Sequence, residues 1–258
     1  MPVFEVLGAN ATAPTADGPA SSYLVSAGED GGWILVDAGP GGMAQFCHEH
    51  DLAELRGIVI THLHADHSLD LMALAYRWTF PTALPRIPVY VPTGGLRSLR
   101  AFDELFGITT LPGMDRPMER AWDCRELPAD GSPRRIGQTA FSAYPAHHAI
   151  TSNALRFQIG DRTIAFSSDT CRCPGVERAA SGVDLFVCEC TYLTGDEQQM
   201  RTHGHLNAAQ AATLADDAGA ARLLLTHFGT PGMQDAARAR AVRAFPRQLD
   251  VAAPGWRW

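Results

Sequence analysis

The sequence predicts an α/β protein built as an αββα sandwich, two mixed sheets packed together with helices outside both. Short apolar runs with strand character come in a group first, and strand–helix alternation follows; this order occurs once in each half of the chain. A single doubly wound sheet would alternate from the start. The run GIVITH (57–62) in the first half is echoed by RLLLTHF (222–228) in the second. At 258 residues the chain fits one large α/β unit, and no linker-like stretch divides it. One domain over 1–258 is therefore expected.

VFEVL (3–7), SYLVS (22–26) and WILVD (33–37) read as three strands separated by turn-rich segments. The glycine turn AGPGG (38–42) leads to a helix over Met43 to His50, and the β-branched strand GIVIT (57–61) runs straight into a histidine cluster. A helix is expected from His67 to Tyr76, with Leu69, Met72, Ala73 and Tyr76 on one face. IPVYVP (87–92) is a strand, and GLRSLRAFDELF (95–106) is a helix stopped by Gly107. Residues 108–122 show no period and contain two prolines, as expected of a surface loop or a lid. Strands follow densely over 139–148, 153–160, 162–169 and 184–191, with a short helix at 174–181 between the last two. Asn207 caps a helix that Gly219 ends. ARLLLTH (221–227), a helix from Gln234 to Phe245, and QLDVAA (248–253) complete the order.

Composition narrows the function. Hydrophobic content of 46% suffices for a full core, and 19% charged residues is too few for a disordered chain. The net charge of −7 argues against general affinity for RNA or acidic membranes, leaving room only for a local basic patch. All 21 basic residues are arginine, which excludes Schiff-base lysines and the lysine of a phosphate loop. Six cysteines include the pairs Cys171/Cys173 and Cys188/Cys190. A disulfide between residues two apart on a strand is strained, so reduced thiols are expected. The N-terminal stretch lacks signal-peptide character and no run is long enough to cross a membrane, so a cytoplasmic location is the expectation.

The chemistry lies at strand ends. Asp37, His62, His148, Asp169, Glu189 and His227 each follow an apolar strand, and strand C-termini converge on one rim where ligands bind. Within HLHADH, His62 and His64 can reach one ion, while Asp66 and His67 turn towards a second. Two metals need about seven protein ligands with open positions left for water and substrate. Seven candidates are present: His62, His64, Asp66, His67, His148, Asp169 as a carboxylate bridge, and His227. Many imidazoles with few carboxylates favour zinc, with manganese or iron as alternatives.

HLHADH, with Asp37 in LVDAGPGG, His148 in HHAITSNALRF, Asp169 in FSSDT and His227 in LLLTHF, resembles the metallo-β-lactamase superfamily. The order looks most like its ribonuclease Z-like and small phosphodiesterase branch. The resemblance implies His62, His64 and His148 on a first divalent ion, and Asp66, His67 and His227 on a second, with Asp169 bridging. It favours His148 over its neighbour His147, because Leu155-Arg156 follows at the branch's spacing. Asp37 would hold the histidine loop from outside. Glu189 in CECTY and His205 in GHLNAAQAA match a further pair, in which the glutamate orients a histidine that protonates the leaving oxygen. A hydroxide bridging the two ions would attack phosphorus, with Asp66 orienting or deprotonating that water. The implied catalytic set is thus Asp66, His205 and Glu189.

Two departures shape the substrate expectation. Cys188 stands where ribonuclease Z proteins usually carry a histidine, and no glycine- and basic-rich arm for transfer RNA is present. Transfer RNA is therefore disfavoured, and a small phosphodiester such as a cyclic nucleotide is favoured. The alternative is a thioester or lactone cleaved by the same metals, with the apolar 108–122 segment and its Met114 and Met118 over the site. Pairing as a homodimer rests on the resemblance alone. His48, His50 and His203 are expected in solvent; Trp78, Phe80 and Trp122 pack as core or line a substrate mouth.

Overall fold

A computed structural model describes residues 2–29 and 31–258. The first half opens with strands β1 (Phe4–Gly8), β2 (Ser22–Ser26) and β3 (Trp33–Ala38), followed by helix α1 (Gly42–Glu49), and strand β4 (Leu55–Val59). Helices α2 (Ala65–Ser68) and α3 (Asp70–Thr79) come next, then β5 (Ile87–Pro92), α4 (Gly95–Phe106), α5 (Pro117–Ala121) and β6 (Trp122–Leu127). The second half runs β7 (Arg134–Ile136), β8 (Thr139–Pro145), β9 (Asn153–Ile159), β10 (Arg162–Phe166), α6 (Pro174–Ala180) and β11 (Leu185–Glu189). It closes with α7 (Glu197–His203), α8 (Ala208–Asp217), β12 (Arg222–Thr226), α9 (Gln234–Ala241) and β13 (Gln248–Val251).

The strands form a six-stranded sheet in the order β1 to β6 and a seven-stranded sheet in the order β13 to β7. In both sheets the early strands pair antiparallel as a meander and the later ones pair parallel through helical crossovers. Two-residue alternation sorts the side chains into layers. Tyr23, Val25, Ile34, Val36 and Val59 face the second sheet and meet Phe141, Phe157 and Phe166 there. Leu24, Leu35, Ile58 and Ile60 point the other way, onto Phe46 of α1 and Leu71, Leu74 and Trp78 of α3. Alanine-rich α8 and α9 cover the outer face of the second sheet.

Several expectations need correction. The helix foreseen from His67 to Tyr76 is broken at Leu69 into α2 and α3. The one foreseen to Phe245 ends at Ala241. Residues 108–122 are a loop only as far as Arg116. They carry α5 and the first residue of β6, and Met118 and Trp122 are buried in the layer outside the first sheet, with the Trp122 ring 5.1 Å from Trp78. Two carboxylate bonds tie this segment down: Asp103 of α4 accepts from the Met118 and Glu119 amides that open α5. Phe80 stays half exposed. His50 is not a solvated side chain, because its Nε2 lies 3.2 Å from the buried carboxylate of Glu5.

Candidate metal centre

Sharp turns at strand ends build the site. Asp37, Ser168 and His227 have φ of 58°, 56° and 59°, a left-handed conformation that non-glycine residues rarely take. Each stands at or just past the C-terminal end of a strand, β3, β10 and β12 respectively. The turn throws the functional side chain onto the rim between the sheets, the kind of local strain that a folded surround must hold in place. Gly39 lets the neighbouring backbones close up, since a Cβ there would lie 2.1 Å from the Asp66 carbonyl oxygen.

Two groups of donor atoms converge on this rim. His62, His64, His148 and Asp169 form one, and Asp66, His67 and His227 form the other. In the first, His64 Nδ1 lies 3.1 Å from both His62 Nε2 and His148 Nε2. In the second, His67 Nε2 lies 3.1 Å from His227 Nε2, and Asp66 Oδ2 lies 3.4 Å from His227 Nε2. Asp169 reaches both. Its Oδ2 is 3.6 Å from His62 Nε2, and its Oδ1 is 3.4 Å from His67 Nε2 and 3.3 Å from His227 Nε2. His147 is exposed and belongs to neither group, and its backbone bonds to Thr170 and Cys171.

The donor set fits divalent cations. Nitrogens bonded to one tetrahedral zinc at about 2.0–2.1 Å stand roughly 3.3 Å apart, close to the separations here. The far sides of four of the rings are held as well, which aims their inner nitrogens. His67 Nδ1 donates to Asp37 Oδ2 at 2.7 Å, and His148 Nδ1 donates to the Gly204 carbonyl at 2.9 Å. Thr191 Oγ1 lies 2.9 Å from His227 Nδ1, and Thr61 Oγ1 lies 3.2 Å from His62 Nδ1. Asp37 also accepts the Thr61 amide and hydroxyl, fastening the loop that carries HLHADH. Thr12, at the tip of the β1–β2 connection with φ 65°, donates its amide to Asp66 Oδ2 at 2.6 Å.

Protonation separates the groups. Burial pushes His62 well below the ordinary histidine value, aided by the neighbouring His67 charge, and burial likewise lowers His148. Burial also opposes charge on His67, yet the carboxylates of Asp169 and Asp37 overcome it and hold the imidazolium well above the usual value. Burial disfavours the Asp66 and Asp169 anions, but the histidines around them keep both below the ordinary carboxylate range.

Glu189 and His205 lie beside the second group. The His205 Nδ1–H donates to Glu189 Oε1 at 3.0 Å, and the ring stacks 5.9 Å from His227. Glu189 also accepts the amides of Thr170, Thr191 and Leu206 and the Thr191 hydroxyl, so it caps a turn and fixes the histidine at once. Burial works against a charged His205, and the hydrogen bond to Glu189 raises its pKa above the ordinary value. Asp169, His205 and His227 also cluster closely enough to hold an ion, but Nδ1 of His205 is already committed to Glu189. All six cysteines are free, and Cys188 and Cys190 are fully buried.

A β-lactamase superfamily domain matches residues 32–228, a span that holds every clustered histidine and aspartate. The chain belongs to the metallo-β-lactamase superfamily. It is 30% identical to a ribonuclease Z from Streptomyces avermitilis over 96% of this chain and 94% of that protein. In structure it is similar to the metallo-β-lactamase fold protein YhfI from Bacillus subtilis, with a TM-score of 0.84 at 22% identity over 99% and 98% of the two chains. It is also similar to the short form of human tRNase Z, with a TM-score of 0.74 at 22% identity over 99% and 98%. For a member of this superfamily, sequence reasoning named the clustered side chains and the carboxylates Asp37 and Glu189 behind them, and missed their uncharged supports. Thr61 and Thr191 could have been found as hydroxyls beside strand-end ligand residues. The Gly204 carbonyl and the Thr12 amide are backbone groups and leave no such signal.

Proposed function

We propose that the protein is a dinuclear metal hydrolase of small phosphodiesters. One observation carries the reading: a single carboxylate, Asp169, reaches two donor pockets, and a glutamate-held histidine stands beside them. His62, His64 and His148 would hold one divalent ion and Asp66, His67 and His227 the other, with Asp169 shared; the nitrogen-rich set favours zinc. When bound, such ions lower the pKa of water and offset charge developing on phosphoryl oxygens. Asp66 stays ionised because the hydrogen bond from His227 and the charges around it outweigh its burial. It therefore orients the incoming water more than it takes its proton. His205 keeps Nδ1 on Glu189 and uses Nε2 to protonate the departing oxygen as the P–O bond breaks.

Relatives that bear the name ribonuclease Z support phosphodiester chemistry. The net charge of −7 and the absence of lysine favour a small substrate, such as a cyclic nucleotide, over transfer RNA. An apolar acyl substrate loses its expected cover, because Met114 and Met118 are both buried, Met118 in the apolar layer outside the first sheet. The test is turnover of bis-p-nitrophenyl phosphate by protein stripped of metal and reloaded with zinc or manganese. Turnover that returns with metal and collapses in Asp66→Ala supports the reading. Two bound ions with no phosphodiester turnover, but cleavage of a thioester or lactone, would overturn it.

A further inference from the structure

Behind the donor atoms, between the sheets, lies a cavity with about 20 Å³ of room for water centres. One buried water needs roughly 10–15 Å³ by that measure, together with two to four polar partners. Ser21, Tyr23, Asp37, Thr226 and the shared carboxylate Asp169 line this cavity together with His67 and His227, whereas Asp66, His62, His64 and His148 do not. The space therefore adjoins the second group of donors on the side away from Asp66.

The hydroxyls here do not balance among themselves. Ser21 is 1% exposed, and its Oγ approaches the Tyr23 phenol without reaching good hydrogen-bond geometry to any described group. Tyr23 Oη and Thr226 Oγ1 lie 2.7 Å apart and share one bond, which uses one of their two protons. Two O–H donors in the same wall thus lack acceptors, and a buried unpaired donor is costly. Acceptors stand opposite: Asp37 and Asp169 face the cavity, and both act on the charge of the Tyr23 phenol. The space and the donors call for one small molecule that accepts twice and donates twice.

We propose that this cavity is a binding site for a single long-lived water molecule. It accepts from Ser21 and from the Tyr23–Thr226 pair and donates to the Asp37 and Asp169 carboxylates. It is thereby the interior brace of the carboxylate that the two pockets share and of the one that holds the histidine loop. The inference is independent of the substrate.

Two measurements test it, both on the whole protein, metal-free and zinc-loaded. Water magnetic relaxation dispersion counts buried waters with long residence. The expected result is one such water fewer in Ser21→Val, whose side chain fills the space, than in the wild type. A crystal structure at high resolution should show a peak within hydrogen-bond distance of Ser21 Oγ and Tyr23 Oη. A dry cavity, a direct Ser21–Tyr23 hydrogen bond that closes it, or a peak with the short oxygen contacts of a metal cation would each overturn the proposal. Ser21→Ala gives an independent sign. If the site is wet, the substitution lowers Tm by removing a partner of the water. If it is dry, the substitution raises Tm by deleting an orphaned hydroxyl.

Discussion

The two donor pockets share a carboxylate and lie side by side, yet their surroundings treat a proton in opposite ways. In the three-histidine pocket the outer nitrogens of His62 and His148 rest on uncharged groups, the Thr61 hydroxyl and the Gly204 carbonyl. Burial then dominates and keeps His62 and His148 deprotonated. In the mixed pocket His67 backs directly onto Asp37, and Asp169 adds its charge from the front. There the carboxylates outweigh burial and His67 holds a proton. Burial alone does not set the proton: His67 has two carboxylates against it, Asp169 and then Asp37, where His62 and His148 have Asp169 alone.

The largest effect that would sharpen this contrast is at the shared group. Asp169→Ala removes a ligand atom from both pockets, so metal content should fall below two per chain, and turnover should drop by more than about 100-fold, beyond the loss usual for an outer partner. Metal analysis beside turnover of the same preparation checks this. Next comes Asp37→Asn, which keeps the shape and removes the charge behind His67. Metal affinity should fall about 10- to 100-fold in the mixed pocket and little in the other. Equal losses in both would break the comparison.

Proton release is a finer probe. Binding at the mixed pocket must expel the His67 proton, so its affinity should rise with pH until the pH passes that residue's raised pKa. In the three-histidine pocket burial already holds His62 and His148 deprotonated, so those two residues should add little pH dependence there. Calorimetry in buffers of different ionisation enthalpy, taken over the whole loading, should count the proton that His67 gives up at neutral pH. The smallest effect is at Thr12, whose φ of 65° is strained but whose amide serves Asp66. Thr12→Gly keeps the amide and relieves the strain, so thermal stability should rise by about 0.5 kcal/mol while affinity in the mixed pocket stays unchanged. Denaturant unfolding and a metal titration would check the pair.

What could be read from the sequence follows from how each feature is encoded. HLHADH and the strand-end Asp169 and His227 were legible because ligand chemistry demands particular side chains at the ends of apolar runs. The sandwich was legible because the meander-then-crossover order repeats, and β4 and β12 carry the echoing runs. The left-handed turns at Asp37, Ser168 and His227 were not, since no glycine marks them. α5 and β6 were hidden by the two prolines of 108–122, one of which, Pro117, starts the helix. His50 appeared ordinary because its partner, Glu5, lies far away in sequence.

Asp169 offers one oxygen to each pocket, and that division has a thermodynamic consequence. An ion in either pocket freezes the carboxylate in the orientation its neighbour requires, so the second ion meets an ordering cost already met. Loading should be positively cooperative, and linkage makes the coupling free energy identical whichever pocket fills first. Singly loaded chains should then be scarce when metal is limiting, with empty and doubly filled molecules dividing the population between them.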